Sequence, residues 1–202
     1  MKRILLPLLL SLSFGAFART MNITHMQTGP SYFTVNVNDP ESPLNGTFNG
    51  WCADWNTRIE DGVDYNATFW SSLAPNVPTD VVDHPEYLDE VNWIINQNFV
   101  GKTAPNNLGV FTIGDVQLAI WSLIDDEFDN DTVGEFSQAR VNYIIERAKI
   151  DGAGYEPGCR KLVGIILIPK HPQSGNPSQN TIILVPRYKF PKCQVPDTDV
   201  VR

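Results

Sequence analysis

The hydrophobic period of the chain changes twice. From Ser31 to Asn38, apolar residues (Tyr32, Phe33, Val35, Val37) interleave with polar ones, which predicts a half-buried strand. Thr47 to Trp55 carries Phe48, Trp51, Cys52 and Trp55 and reads as a strand running into a loop. Val63 to Leu73, with Tyr65, Ala67, Phe69 and Trp70, reads as another strand. The pattern then turns helical. Glu86 to Phe99 places Tyr87, Leu88, Val91, Ile94, Ile95 and Asn98 near helical spacing, behind a His84-Pro85 start. Thr112-Ile113-Gly114-Asp115 matches a capping box with Thr112 as N-cap. The helix after it puts Val116, Ile120, Leu123 and Ile124 on one face, and Gln117 and Trp121, four apart, on an adjacent one. A third helix is predicted over Gly134 to Ile150, with Val141, Ile144, Ile145 and Ala148 as its stripe and Phe136 and Tyr143 as further burial candidates. Leu162 to Ile168 and Thr181 to Pro186 return to a β-like pattern. Strands, then helices, then strands imply an α+β fold. We expect a β-sandwich or barrel with a helical insertion over roughly residues 84–150.

Composition narrows the setting. Residues 1–18 read as a secretory signal peptide. Lys2 and Arg3 precede a short apolar run, and Ala16-Phe17-Ala18 fits the cleavage pattern, which leaves residues 19–202 as one domain. No other stretch has the length and apolarity to span a membrane, and the tail Asp197 to Arg202 is polar, so a secreted, extracellular protein is expected. Losing Lys2 and Arg3 leaves 13 basic against 23 acidic residues, a net of −10, which argues against nucleic acid or an anionic membrane as partner. Asn22, Asn45, Asn66 and Asn130 each begin an N-x-Thr sequon, a glycan acceptor in a secreted eukaryotic chain. No phosphate-cradling glycine motif and no paired Cys or His spacing occurs. The acidic run Asp125 to Asp131 lacks the glycine and closing glutamate of an EF-hand and reads as a solvated loop. No cofactor or metal is expected, and nothing in the sequence sets the oligomeric state.

Three cysteines leave one over. Cys159 and Cys193 flank the two last β-like runs. A hairpin brings its outer ends together, so these two form the natural disulfide pair. Cys52 remains, either as a buried inert thiol or as a reactive one. His25, His84 and His171 sit in no recognisable cysteine-protease context. The other chemistry open to a lone thiol is attack on a glutamine carboxamide. That gives an internal thioester, which needs alignment with the glutamine and exclusion of water.

Here a resemblance enters. Gly50-Trp51-Cys52-Ala53-Asp54 resembles the aromatic-Cys motif of the thioester domains of secreted and surface-displayed adhesin-like proteins. Thr112 to Trp121, containing Val116-Gln117-Leu118-Ala119-Ile120-Trp121, resembles their Gln motif. Val91 to Asn96 is similar to the helix such domains often place between the two, and the likeness covers roughly Thr47 to Ile150. It implies a thioester-domain-like fold, a Cys52–Gln117 bond between a β-rich and a helical part, and covalent capture of an amine-bearing partner by a single-use acyl donor, not a turnover enzyme. The chain departs from better-known members in lacking a sorting signal and a long stalk. Trp51, Asp54 and Trp121 are candidates for binding beside the bond. Two other functions stay open from the residues: a non-covalent β-rich recognition module without the bond, and a Cys52 thiol hydrolase or transferase.

Overall fold

The computed structural model describes residues 19–25, 32–125, 127–130, 133–190 and 193, with no account of side chains in residues 19–25. The leader assigned to residues 1–18 and the polar tail lie outside the described residues. The predicted strands appear as β2 (Tyr32–Asn38), β3 (Gly46–Cys52) and β4 (Asp64–Ser71), then β5 (Leu162–Lys170) and β6 (Thr181–Pro186). These five form a curled antiparallel sheet in the order β2-β3-β6-β5-β4. A strand that the sequence reading did not anticipate, β1 (Arg19–His25), pairs with both β2 and β4 and closes the curl into a barrel. The fold is α+β, and of the two architectures expected it is the barrel.

Strand alternation fills the barrel. Phe33, Val35 and Val37 of β2 face inward with Phe48 of β3, while Asn36, Thr47 and Asn49 face water. The cross-strand row Phe33↔Gly50↔Ile183↔Ile165 runs through the interior. Gly50 suits this row because a Cβ there would meet Thr181 Cγ2 at 3.0 Å and Ile182 O at 3.1 Å. Two residues on, Cys52 shares the inward face and opposes Thr181, which is fully buried.

The insertion between β4 and β5 holds α1 (Leu88–Ile95), α2 (Ile113–Ile124) and α3 (Gln138–Asp151), with a 3-10 turn at Pro85–Tyr87 leading into α1. Two helices are shorter than their periodicity suggested. α1 stops at Ile95, and Asn98 beyond it takes a positive φ of 55°. α3 starts at Gln138, because residues 133–137 lie across the first turn of α2 instead of coiling. The capping box at Thr112 forms as expected: Asp115 N–H donates to Thr112 Oγ1 and Thr112 N–H donates to Asp115 Oδ2. The one-sided stripe expected for α2 is an underestimate. Gly114 to Trp121, Leu123 and Ile124 are all buried, because α1 and α3 cover what the barrel end does not.

The cover extends over the outer face of β5, where α1 packs, so Val163 to Leu167 is buried on both faces. The Cys159–Cys193 disulfide is formed, with Cα atoms 5.2 Å apart, and ties the outer ends of the β5–β6 hairpin.

Candidate functional site

Cys52 ends β3. Successive residues of a strand point their N–H groups to opposite sides. Ala53 N–H donates to Asn180 O on the β6 side at 2.8 Å, so the backbone groups of Cys52 face the β2 side. Pairing with β2 ends one residue earlier, at Tyr32↔Trp51. The N–H and C=O of Cys52 are taken instead by one side chain. Gln117 Oε1 accepts from Cys52 N–H at 3.0 Å, and Gln117 Nε2 donates to Cys52 O at 3.0 Å. The glutamine completes the ladder as a short substitute for a neighbouring strand. Its amide orientation follows from the partners, since an N–H demands an acceptor and a C=O a donor.

The two sequence-singled residues are thus brought together, 65 positions apart in the chain. The pairing is dry: Cys52 is 1% exposed and Gln117 0%. Cys52 is in no disulfide. The Gln117 carboxamide lies against the backbone of the residue whose thiol would attack it. The N–H of that residue already points at the carbonyl oxygen on which charge would develop.

The other candidates surround this pair without joining it. Trp51 turns to the outer face of the barrel, opposite to Cys52, and packs on Tyr32 with ring centroids 4.5 Å apart. Trp121 lies one turn beyond Gln117 on α2, beside Phe128 at 6.1 Å. Both indole N–H groups are buried, with no acceptor among the described residues. Asp54 serves its own turn. Its carboxylate accepts from Thr57 N–H at 3.1 Å, Thr57 Oγ1 at 2.7 Å and Asn180 N–H at 2.6 Å, and it lines a cavity. Of the sequon asparagines, Asn45, Asn66 and Asn130 are exposed.

That cavity, about 560 Å³, is lined by Ala53 but by neither Cys52 nor Gln117. Among the described residues its wall carries four carboxylates, Asp54, Asp80, Asp83 and Asp125, against one cation, Lys170. Asp125 is the residue that sequence reasoning missed. It was assigned to a solvated acidic loop, yet it is 7% exposed and caps the C-terminal end of α2. Its carboxylate accepts Trp55 N–H at 2.8 Å and Glu127 N–H at 3.2 Å, which pins the segment after Cys52 to the helix that bears Gln117. Burial pushes its pKa up to about 6. The two backbone donors oppose the shift, and the charges of Asp83 and Asp54 add to it. The signal in the sequence was its place directly after an unbroken apolar helix. Among the described residues no cluster of His, Cys, Asp or Glu has the grouping of a metal site, and no helix is long and apolar enough to cross a membrane.

A comparison with protein-family models, with curated proteins and with solved structures finds no match to this chain.

Proposed function

We propose that the chain is a secreted, thioester-domain-like binding module, in which Cys52 and Gln117 form an internal thioester that captures an amine-bearing partner. The observation that carries this reading is the two-point pairing of the Gln117 carboxamide with the Cys52 backbone inside a water-excluded seam. The Cys52 thiolate attacks Gln117 Cδ. Charge developing on Oε1 meets the Cys52 N–H, 3.0 Å away. The C–N bond breaks, and the nitrogen leaves as ammonia with the proton given up by the thiol. In the second step an amine attacks the thioester carbonyl. An amide joins the former Gln117 acyl group to the partner, and Cys52 departs as a thiol. Each molecule reacts once. The carboxylate-rich cavity at Ala53, the residue after Cys52, attracts cationic over anionic groups to its mouth, while the bond itself stays sealed from it.

The test is the intact mass of the freshly purified mature protein. After allowing for the disulfide, the mass is expected to be short by one ammonia, and methylamine is expected to add across the deficit. Both effects should vanish in Cys52→Ala and Gln117→Ala. A full mass with a thiol that alkylates after unfolding sinks the proposal. The non-covalent module is the second reading. It is favoured by one observation: Asn96 makes the same two-point contact to Leu162, where no thiol is present.

A further inference from the structure

The Gln117 carboxamide can meet Cys52 only if α2 is held at one rotation about its axis, and the helix carries an unusual anchor two residues before the glutamine. Asp115 is fully buried. Its Oδ1 accepts Ser137 N–H at 2.7 Å, and its Oδ2 accepts both Thr112 N–H at 2.7 Å and Arg140 Nε–H at 2.5 Å. Arg140, itself buried, extends Nη1 to Leu108 O at 3.2 Å. One carboxylate thus gathers the cap of α2, the start of α3 and, through Arg140, the loop before α2. The backbone of residues 133–135 closes the remaining side. A Cβ on Gly114 would lie 2.6 Å from Glu135 O and 2.9 Å from Val133 O, so the strap touches the helix where only glycine allows it.

A cap alone needs far less. Thr112 and Asp115 already cap each other reciprocally, the hydroxyl accepting Asp115 N–H and the carboxylate Thr112 N–H. A buried ion pair is a poor source of net stability compared with apolar packing, and its best-attested use is to fix one arrangement against others. We infer that the Asp115–Arg140 pair is the positioning device of the acyl site, setting the rotation of α2 so that the Gln117 carboxamide faces Cys52. This rests on the thioester reading. Neither residue touches the reacting atoms; they act through the helix.

The experiment compares Arg140→Gln, Arg140→Lys and Asn96→Ala with the unaltered chain. It measures thioester formation by intact mass during refolding and, separately, the urea midpoint. Asn96→Ala removes a clamp of α1 and lowers stability without disturbing α2. Arg140→Gln is expected to form the bond roughly tenfold to a hundredfold more slowly, as a small misplacement of reacting groups does. Asn96→Ala is expected to form it at the normal rate despite a lowered midpoint. Arg140→Lys keeps the charge but cannot span Asp115 and Leu108 O together, so it should be slow as well. It carries the test if Arg140→Gln does not fold. Normal rates in a folded Arg140 variant overturn the inference and leave the thioester standing. So does equal slowing in Asn96→Ala, which would make stability the cause. An unaltered chain with no mass deficit fails the thioester itself, and the inference with it.

Discussion

Two carboxamides in this protein make the same two-point contact to a strand residue, and Asn96 adds a third bond, from Nδ2 to Asn92 O at 2.7 Å. Asn96, just past α1, accepts Leu162 N–H at 2.9 Å and donates to Leu162 O at 2.8 Å. Gln117 on α2 treats Cys52 in the same way. Each fastens a helix of the insertion to the terminal residue of a barrel strand and satisfies a backbone pair that the sheet leaves unpaired. What differs is the residue beneath. Leu162 is half-buried and has no nucleophile, whereas Cys52 is sealed and bears a thiol on the inward face. The clamp is therefore the ordinary solution to docking a helix on a strand end. The proposed chemistry is what one clamp would gain from having a cysteine as its strand residue.

The sharpest break between the two sites is covalent. Gln117→Glu keeps the shape of the side chain but replaces an acyl donor with a carboxylate. Methylamine incorporation, followed by mass, should fall from complete to none. Asn96→Ala should leave incorporation complete. If Gln117→Glu incorporates methylamine, the acyl group lies elsewhere.

The next effect is on stability. The proposed bond would link Cys52 and Gln117, 65 positions apart in the chain. Loop-closure entropy alone puts its stabilisation at about 4 kcal/mol as an upper figure. Opening the bond with methylamine should therefore lower the urea midpoint markedly, and the same treatment of Cys52→Ala should not move it. Asn96→Ala, by contrast, loses three hydrogen bonds, one to Asn92 O and two to Leu162, and strands a backbone pair of β5, for about 1–3 kcal/mol. Its midpoint should fall with or without methylamine.

Much of this architecture could be read from the chain. The period change from alternation to helical spacing placed five strands and three helices, because each buries a coherent face. The capping box located the start of α2 to the residue. β1 escaped notice because Arg19 to His25 carries only Met21 and Ile23 as apolar residues and gains its strand character from two neighbours. The start of α3 was misjudged because the strap at residues 133–137 answers to packing against Gly114, a tertiary demand with no local signature. At the site, Cys52 and Gln117 stand out because an odd cysteine and a helix glutamine are residue types able to form the proposed bond. Asp125 did not. Its neighbours are acidic, and charge next to charge reads as solvent. Only the folded loop after Cys52, donating Trp55 N–H, gives that carboxylate a reason to be buried.

A smaller effect separates the two clamps by pH. The helix that leads to Asn96 carries a buried acid, Glu90, whose pKa is pushed up to about 7, by burial first and then by its neighbour Asp89. The helix of Gln117 ends at Asp125, raised to about 6. Both groups are more readily protonated folded than unfolded. The stability each contributes is full below the ordinary carboxylate range and is lost as pH rises through its folded value. The urea midpoint of the unaltered chain should therefore carry a decline between about pH 4 and 7 from these two groups. Glu90→Gln should remove the part that extends to about 7, and Asp125→Asn the part that ends near 6. Midpoints measured across this range in both variants check the assignment. A decline left unchanged by both would place the titration elsewhere.

The smallest expected effect is none, and it bears most directly on the comparison. Leu162→Cys puts a thiol beneath Asn96, so that both clamps carry the same pair of groups. No ammonia should be lost there. The asparagine side chain is one methylene shorter than that of glutamine, so its carboxamide carbon is tethered close to its own helix and has less freedom to reach a sulfur while both hydrogen bonds hold. The position is also half-buried, so water competes for any acyl group that forms. Intact mass and alkylation of the new thiol decide it. A mass deficit in Leu162→Cys would mean that two-point carboxamide pairing over a cysteine suffices by itself. The burial of Cys52, and the fixing of α2 by Asp115 and Arg140, would then be incidental to the chemistry and not its condition.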